Sequence, residues 1–192
     1  MAEFVEHYAL VRWPVVAAFV LATIIVARRL TGQVAPTHRV DAAADSAHLL
    51  MCLMMLAMLV FPAATHPLAV RGVLTALTVA FAILLVERVL DRGAAAGPDG
   101  VLALGYHTLA AAAMLYAMAG HGGEHESGPG WPAAALAALF ALDALLALGT
   151  VGHGPRPHRF VHPVGAHPLT SALIPHVVMD IGTAFMLIAA IG

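Results

Sequence analysis

Residues 44–63 read Ala-Asp-Ser-Ala-His-Leu-Leu-Met-Cys-Leu-Met-Met-Leu-Ala-Met-Leu-Val-Phe-Pro-Ala, and no charged side chain occurs between Asp45 and Arg71. An apolar run of about 20 residues is the length an α-helix needs to cross the hydrocarbon core of a bilayer. His48, Met51, Met55 and Met58 are spaced 3, 4 and 3 apart, so they share one face of that helix. Cys52 and Met54 flank this face.

Five further stretches of the same kind follow from the hydropathy pattern. The six spans fall at about 8–27, 44–63, 68–90, 101–119, 131–149 and 170–191. Breaks between them are rich in Pro, Gly, Arg and His, as interfacial loops are. Arg28 and Arg29 follow the first span where a signal peptide would have a small-residue cleavage site, so this span is read as a retained helix. The expectation is an all-α integral membrane bundle forming one domain over 1–192.

Composition agrees. Only 10% of the 192 residues are charged and the mean hydropathy is +0.88. A soluble domain carries roughly 25% charged residues to cover its wet surface. The formal net charge of −2 offers no attraction to nucleic acid. A single cysteine, Cys52, excludes an intramolecular disulfide.

All nine basic residues other than histidine are arginines, and their placement sets an orientation. Arg28, Arg29 and Arg39 follow span one, Arg88 and Arg92 follow span three, and Arg156 and Arg159 follow span five. Only Arg12 and Arg71 fall on the other side. The positive-inside rule puts loops one, three and five in the cytoplasm and both termini outside.

Spans two, four and six then run outward, and each carries a histidine five or six residues in: His48, His107 and His176. At ~1.5 Å rise per residue the three imidazoles share a depth. A polar group in hydrocarbon is costly, and it faces the bundle interior and a partner. Methionines continue each line. His107, Met114, Met118 and His121 lie on one face of span four, and His176, Met179, Asp180 and Thr183 on one face of span six, with Met186 beyond. Imidazole, thioether and thiol donors suit copper in its Cu(I) state. The expected ligands are His48, His107, His176, Met51, Met55, Met114 and Met179, with Cys52, Met58 and Met118 in support. For any one histidine, a helix-bonding role competes evenly with this; three aligned faces favour a site.

Among the acids, Asp45 lies one turn before His48 and either orients it or caps the helix. Asp180 lies one turn after His176 and is placed to ligate or to accept a proton. Asp143 sits deep in span five and requires a partner, for which a histidine is the natural candidate. His121 and His125, with Glu124 and Glu126, make a capture site in the outer loop or an incidental polar loop. His153, His158, His162 and His167, interleaved with prolines, match no closed metal motif.

The segments Asp45-Ser-Ala-His48-Leu-Leu-Met51-Cys-Leu-Met54-Met55-Leu-Ala-Met58 and Tyr106-His107-Thr-Leu-Ala-Ala-Ala-Ala-Met114-Leu-Tyr116-Ala-Met118 resemble an actinobacterial family of small His/Met-rich multi-span membrane proteins without an assigned function. The resemblance implies copper handling at His48, Met51, Met55, Met58, His107, Met114 and Met118, in the plasma membrane of a bacterial cell.

The leading expectation is therefore a membrane protein that stores, buffers or passes Cu(I). Its partners would be the bilayer, the metal ion, and a second copy of the chain or a copper-handling protein. Two other classes compete. Two histidines on facing helices are able to ligate a b-type haem for electron transfer. Three histidines around zinc with a bound water would make an intramembrane hydrolase. No catalytic signature is present, and no nucleotide-binding motif, so an enzyme is not expected. The orientation is checked directly: Gly122→Cys should react with an impermeant thiol reagent on intact cells and Ala94→Cys should not, and the reverse pattern would invert the topology.

Overall fold

The computed structural model describes residues 9–32, 39–61, 66–90, 98–119, 130–149 and 169–191. Among these, six helices follow one another: α1 (Ala9–Gly32), α2 (Arg39–Val60), α3 (Pro67–Leu90), α4 (Pro98–Ala119), α5 (Trp131–Gly149) and α6 (Leu169–Ala189). Five are long and apolar enough to cross a bilayer, and the sixth has a shorter apolar segment, Leu173–Ala189. Each helix matches one expected span, so the fold is the helical membrane bundle the hydropathy indicates. Several helices outrun their apolar stretch. The 24 residues of α1 measure about 36 Å, more than the ~30 Å hydrocarbon core, so its last turns lie at the interface.

The polarity is inverted relative to a water-soluble protein. Large apolar side chains point outward on every helix, among them Ile24, Leu53, Ile83, Leu145 and Ile188. The interior holds Arg29, Asp45, His48, His107, Asp143, His176, Asp180 and Thr183. Lipid solvates the first set; the second must find partners inside the bundle.

The helices form three hairpins, α1–α2, α3–α4 and α5–α6, within which the packing is most extensive. The even-numbered helices also touch one another, and α1 leans on α6. Thus α2, α4 and α6 form a central trio, each backed by its own hairpin partner. The hairpins are antiparallel. Arg12, at the start of α1, donates to the carbonyl oxygens of Leu59 (2.7 Å) and Val60 (3.0 Å) at the end of α2. These are carbonyls that a helix C-terminus leaves without intrahelical donors. The same guanidinium sits 5.5 Å from the Trp13 ring centroid. Trp13 and Trp131 are exposed at the starts of α1 and α5, and Tyr116 near the end of α4, which places all three at one end of the bundle. That is where aromatic rings settle at a membrane–water boundary.

Small residues let the helices approach. Ala110, Ala113 and Ala117 form a buried stripe on α4, and Ala133, Ala137, Ala144 and Ala147 another on α5. In lipid, where apolar burial gives little drive, such close backbone contact supplies the dispersion energy of association. The tightest approach is at Gly182 of α6. A Cβ there would overlap the edge of the Phe19 ring and lie 3.1 Å from Met55 Cε. Phe19 itself is fully enclosed, so it has no free direction to yield. Gly182→Ala should destabilise the bundle by about 1–3 kcal/mol, seen as an earlier midpoint in thermal unfolding of the detergent-solubilised protein. Gly105→Ala, inside α4 where a Cβ meets nothing within 4 Å, should not lower that midpoint, since alanine is the better helix former.

Candidate metal centre

His48, His107 and His176 follow the first residues of their helices by nine, nine and seven positions, so the central trio carries them at nearly one level. All three are buried. The His48 and His107 rings meet edge-on with centroids 5.1 Å apart. His107 is flanked by Tyr106 at 6.1 Å and Phe81 at 6.5 Å. Tyr106 lies tilted against His176, centroids 5.1 Å apart, and edge-on to Phe140. His48 is hydrogen-bonded to the backbone of Pro175, the residue before His176, while its Nε2 has no hydrogen-bond partner among the described residues. The three imidazoles are thus neighbours around Tyr106 and Pro175.

They do not form one tight set of donor atoms. His176 is turned towards acids, its Nε2 2.8 Å from Asp143 Oδ2 and 3.2 Å from Asp180 Oδ2. Among the described residues, the cluster of three His, Cys, Asp or Glu side chains whose donor atoms all lie within 4.8 Å of one another is Asp143, His176 and Asp180. Asp143 therefore has the histidine partner its position in α5 demands. Asp180, one turn along α6, is the acid placed to ligate.

The methionine faces are interior as the helical spacing requires. Met51, Met55 and Met58 of α2, Met114 and Met118 of α4, and Met179 and Met186 of α6 are all buried. Cys52 is buried and free. Met54, assigned to the side of the α2 face, is only partly buried. His121, His125 and the histidines of 153–167 lie outside the described residues.

Asp45 has a role that spacing along one helix does not reveal. Arg29 Nη2 donates to Asp45 Oδ1 at 2.7 Å, with both side chains buried. Arg29 is not a loop arginine: it lies on the inner face of α1, tying the end of that helix to the start of α2. Together with Arg12 at the opposite end, it clamps the hairpin twice. The signal available in the sequence is register, since Val26 and Arg29 are three apart and Val26 is fully buried.

A macrocycle between His48 and His107 would have to separate rings that here meet edge-on. Imidazole with thioether donors, and imidazole with carboxylates, are the two donor sets that the interior offers.

Fold and interior together define a multi-pass helical membrane protein with a polar, donor-rich centre. Over residues 40–190 the chain matches the family described as a domain of unknown function, DUF5134, and it belongs to that family. No curated protein and no solved structure matches it.

The buried ion pair gives a stability test. Arg29→Met leaves Asp45 as a charge in a buried site, and breaking such a pair costs about 3–5 kcal/mol. The double variant Arg29→Met with Asp45→Leu should recover much of this, measured as urea or thermal unfolding in detergent.

Proposed function

We propose that this chain is a copper-binding membrane protein that stores, buffers or passes Cu(I) within the bilayer. The observation that supports this most is the donor set on the central trio. His48 and His107 touch at one level, and Met51, Met55 and Met114 lie buried on the same helix faces one to two turns further along, with Met179 interior on α6. Two neutral imidazoles and thioethers bring no charge of their own, so a monovalent soft cation adds only one charge to the site. A hard divalent ion would find no compensating carboxylate at these residues.

The methionine lines also suggest a direction. They lead from the histidines towards the end of the bundle marked by Trp13, Trp131 and Tyr116. With the arginine distribution read as positive-inside, that end is the outer face of the plasma membrane of a bacterial cell, and both termini lie there. Thioethers would then hand Cu(I) between the outer surface and the histidines.

Protein purified from copper-supplemented cells should carry about one copper per chain, and it should compete with a chromophoric Cu(I) chelator. His48→Ala combined with His107→Ala should lose that copper, and Met51→Leu with Met114→Leu should weaken it. Met54→Leu, off the face, should retain it. Full copper in the double histidine variant would overturn the reading.

A further inference from the structure

We propose that Asp143, His176 and Asp180 form a second, harder cation site, which takes a divalent ion of the zinc type.

The first argument is geometric. His176 Nε2 lies 2.8 Å from Asp143 Oδ2 and 3.2 Å from Asp180 Oδ2. Ligand atoms that share a tetrahedral zinc, each ~2.0–2.1 Å from the metal, stand roughly 3.3 Å apart. The three side chains are therefore already near the spacing of a coordination shell. They come from two helices, α5 and α6, which form one closely packed hairpin.

The second argument is the unmet bonding of Asp180. Its side chain is completely enclosed, and neither carboxylate oxygen has a hydrogen-bond partner among the described residues. One ring nitrogen faces two carboxylates and carries at most one proton, and the hydrogen bond it makes is with Asp143. Asp180 is left with two acceptors and no donor. A buried carboxylate so arranged is costly unless a cation completes it. One turn further, Thr183 Oγ1 is also enclosed and without a partner among the described residues, which adds an oxygen to the same face of α6.

The third argument is charge. Two carboxylates and a neutral imidazole sum to −2, which a divalent cation cancels, leaving a neutral complex in a low-dielectric interior. A single Cu(I) would leave one negative charge over and would meet hard oxygen donors it disfavours. This donor set is thus chemically distinct from the histidine–thioether set. His176, expected from the sequence alone to join the copper ligands, belongs by its contacts to this second set, and the set shares no ligand with the copper site proposed at His48 and His107.

The test uses the full-length protein in detergent, stripped with chelator and titrated with Zn2+ alone, then with Co2+ as a spectroscopic substitute. Wild type should take up about one zinc per chain. The Co2+ form should show tetrahedral d–d absorption without a sulfur-to-metal charge-transfer band. Asp180→Asn and Asp143→Asn keep the side-chain shape, and each should weaken zinc more than ~10-fold, while copper loading at His48 and His107 stays at the wild-type level. An unchanged gel-filtration profile and helical circular dichroism certify that these variants are folded. His48→Ala with His107→Ala should leave zinc binding intact. Wild type that binds no zinc, undiminished zinc in both aspartate variants, or a sulfur charge-transfer band in the Co2+ form would each overturn the proposal.

Discussion

Among the described residues, eight polar or charged side chains lie inside a bundle whose outer surface is hydrocarbon-facing, and the architecture follows from the need to satisfy them. In water each of these groups would have solvent as an alternative partner. Within the membrane the alternatives are other side chains and the helix backbone. Arg29 meets Asp45, His176 meets Asp143, and His48 meets the backbone of Pro175. Each of these contacts joins two different helices, so each also selects a helix pairing. The apolar contacts alone would be less selective, because Leu and Ile pack against a neighbouring helix or a lipid chain with similar ease.

The division of labour between helices follows from the same constraint. The central trio α2, α4 and α6 carries all three histidines and seven buried methionines. The outer helices contribute support: Arg29 from α1, Phe81 from α3 and Asp143 from α5 each reach inward to a polar group or ring of the trio. Each hairpin thus delivers one donor-bearing helix together with a partner for it.

Much of this is legible in the sequence alone. Periodicity reveals the buried faces of α2, α4 and α6, including the exclusion of Met54, because a helical face depends on spacing alone. Distance along each span reveals the common level of the histidines. The need of Asp143 for a histidine follows from the cost of a lone carboxylate in lipid. What a linear pattern does not encode is rotation of one helix about its axis relative to another. For that reason Arg29 reads as one more interfacial arginine, though it is Asp45's partner. For the same reason His176 reads as the third member of a histidine trio, though its Nε2 faces the two acids. Tyr106 carries no periodic signal, because an aromatic residue beside a histidine is unremarkable in a linear pattern. Its position between His107 and His176 depends on how three helices meet.

The pairing of Asp143 with His176 also bears on how the chain enters the membrane. A segment passing singly into the bilayer is judged on its own hydrophobicity, and an aspartate near its centre is penalised by about 2.5–3.5 kcal/mol. α6 carries His176 and Asp180 and has a proline at 175. Its inner face presents a histidine, an aspartate and a threonine, which lipid alone would leave unsatisfied. Its natural route is to arrive against α5, whose own aspartate would be exposed until α6 came. The two segments are therefore a unit of biogenesis: each is the shield under which the other becomes tolerable to lipid.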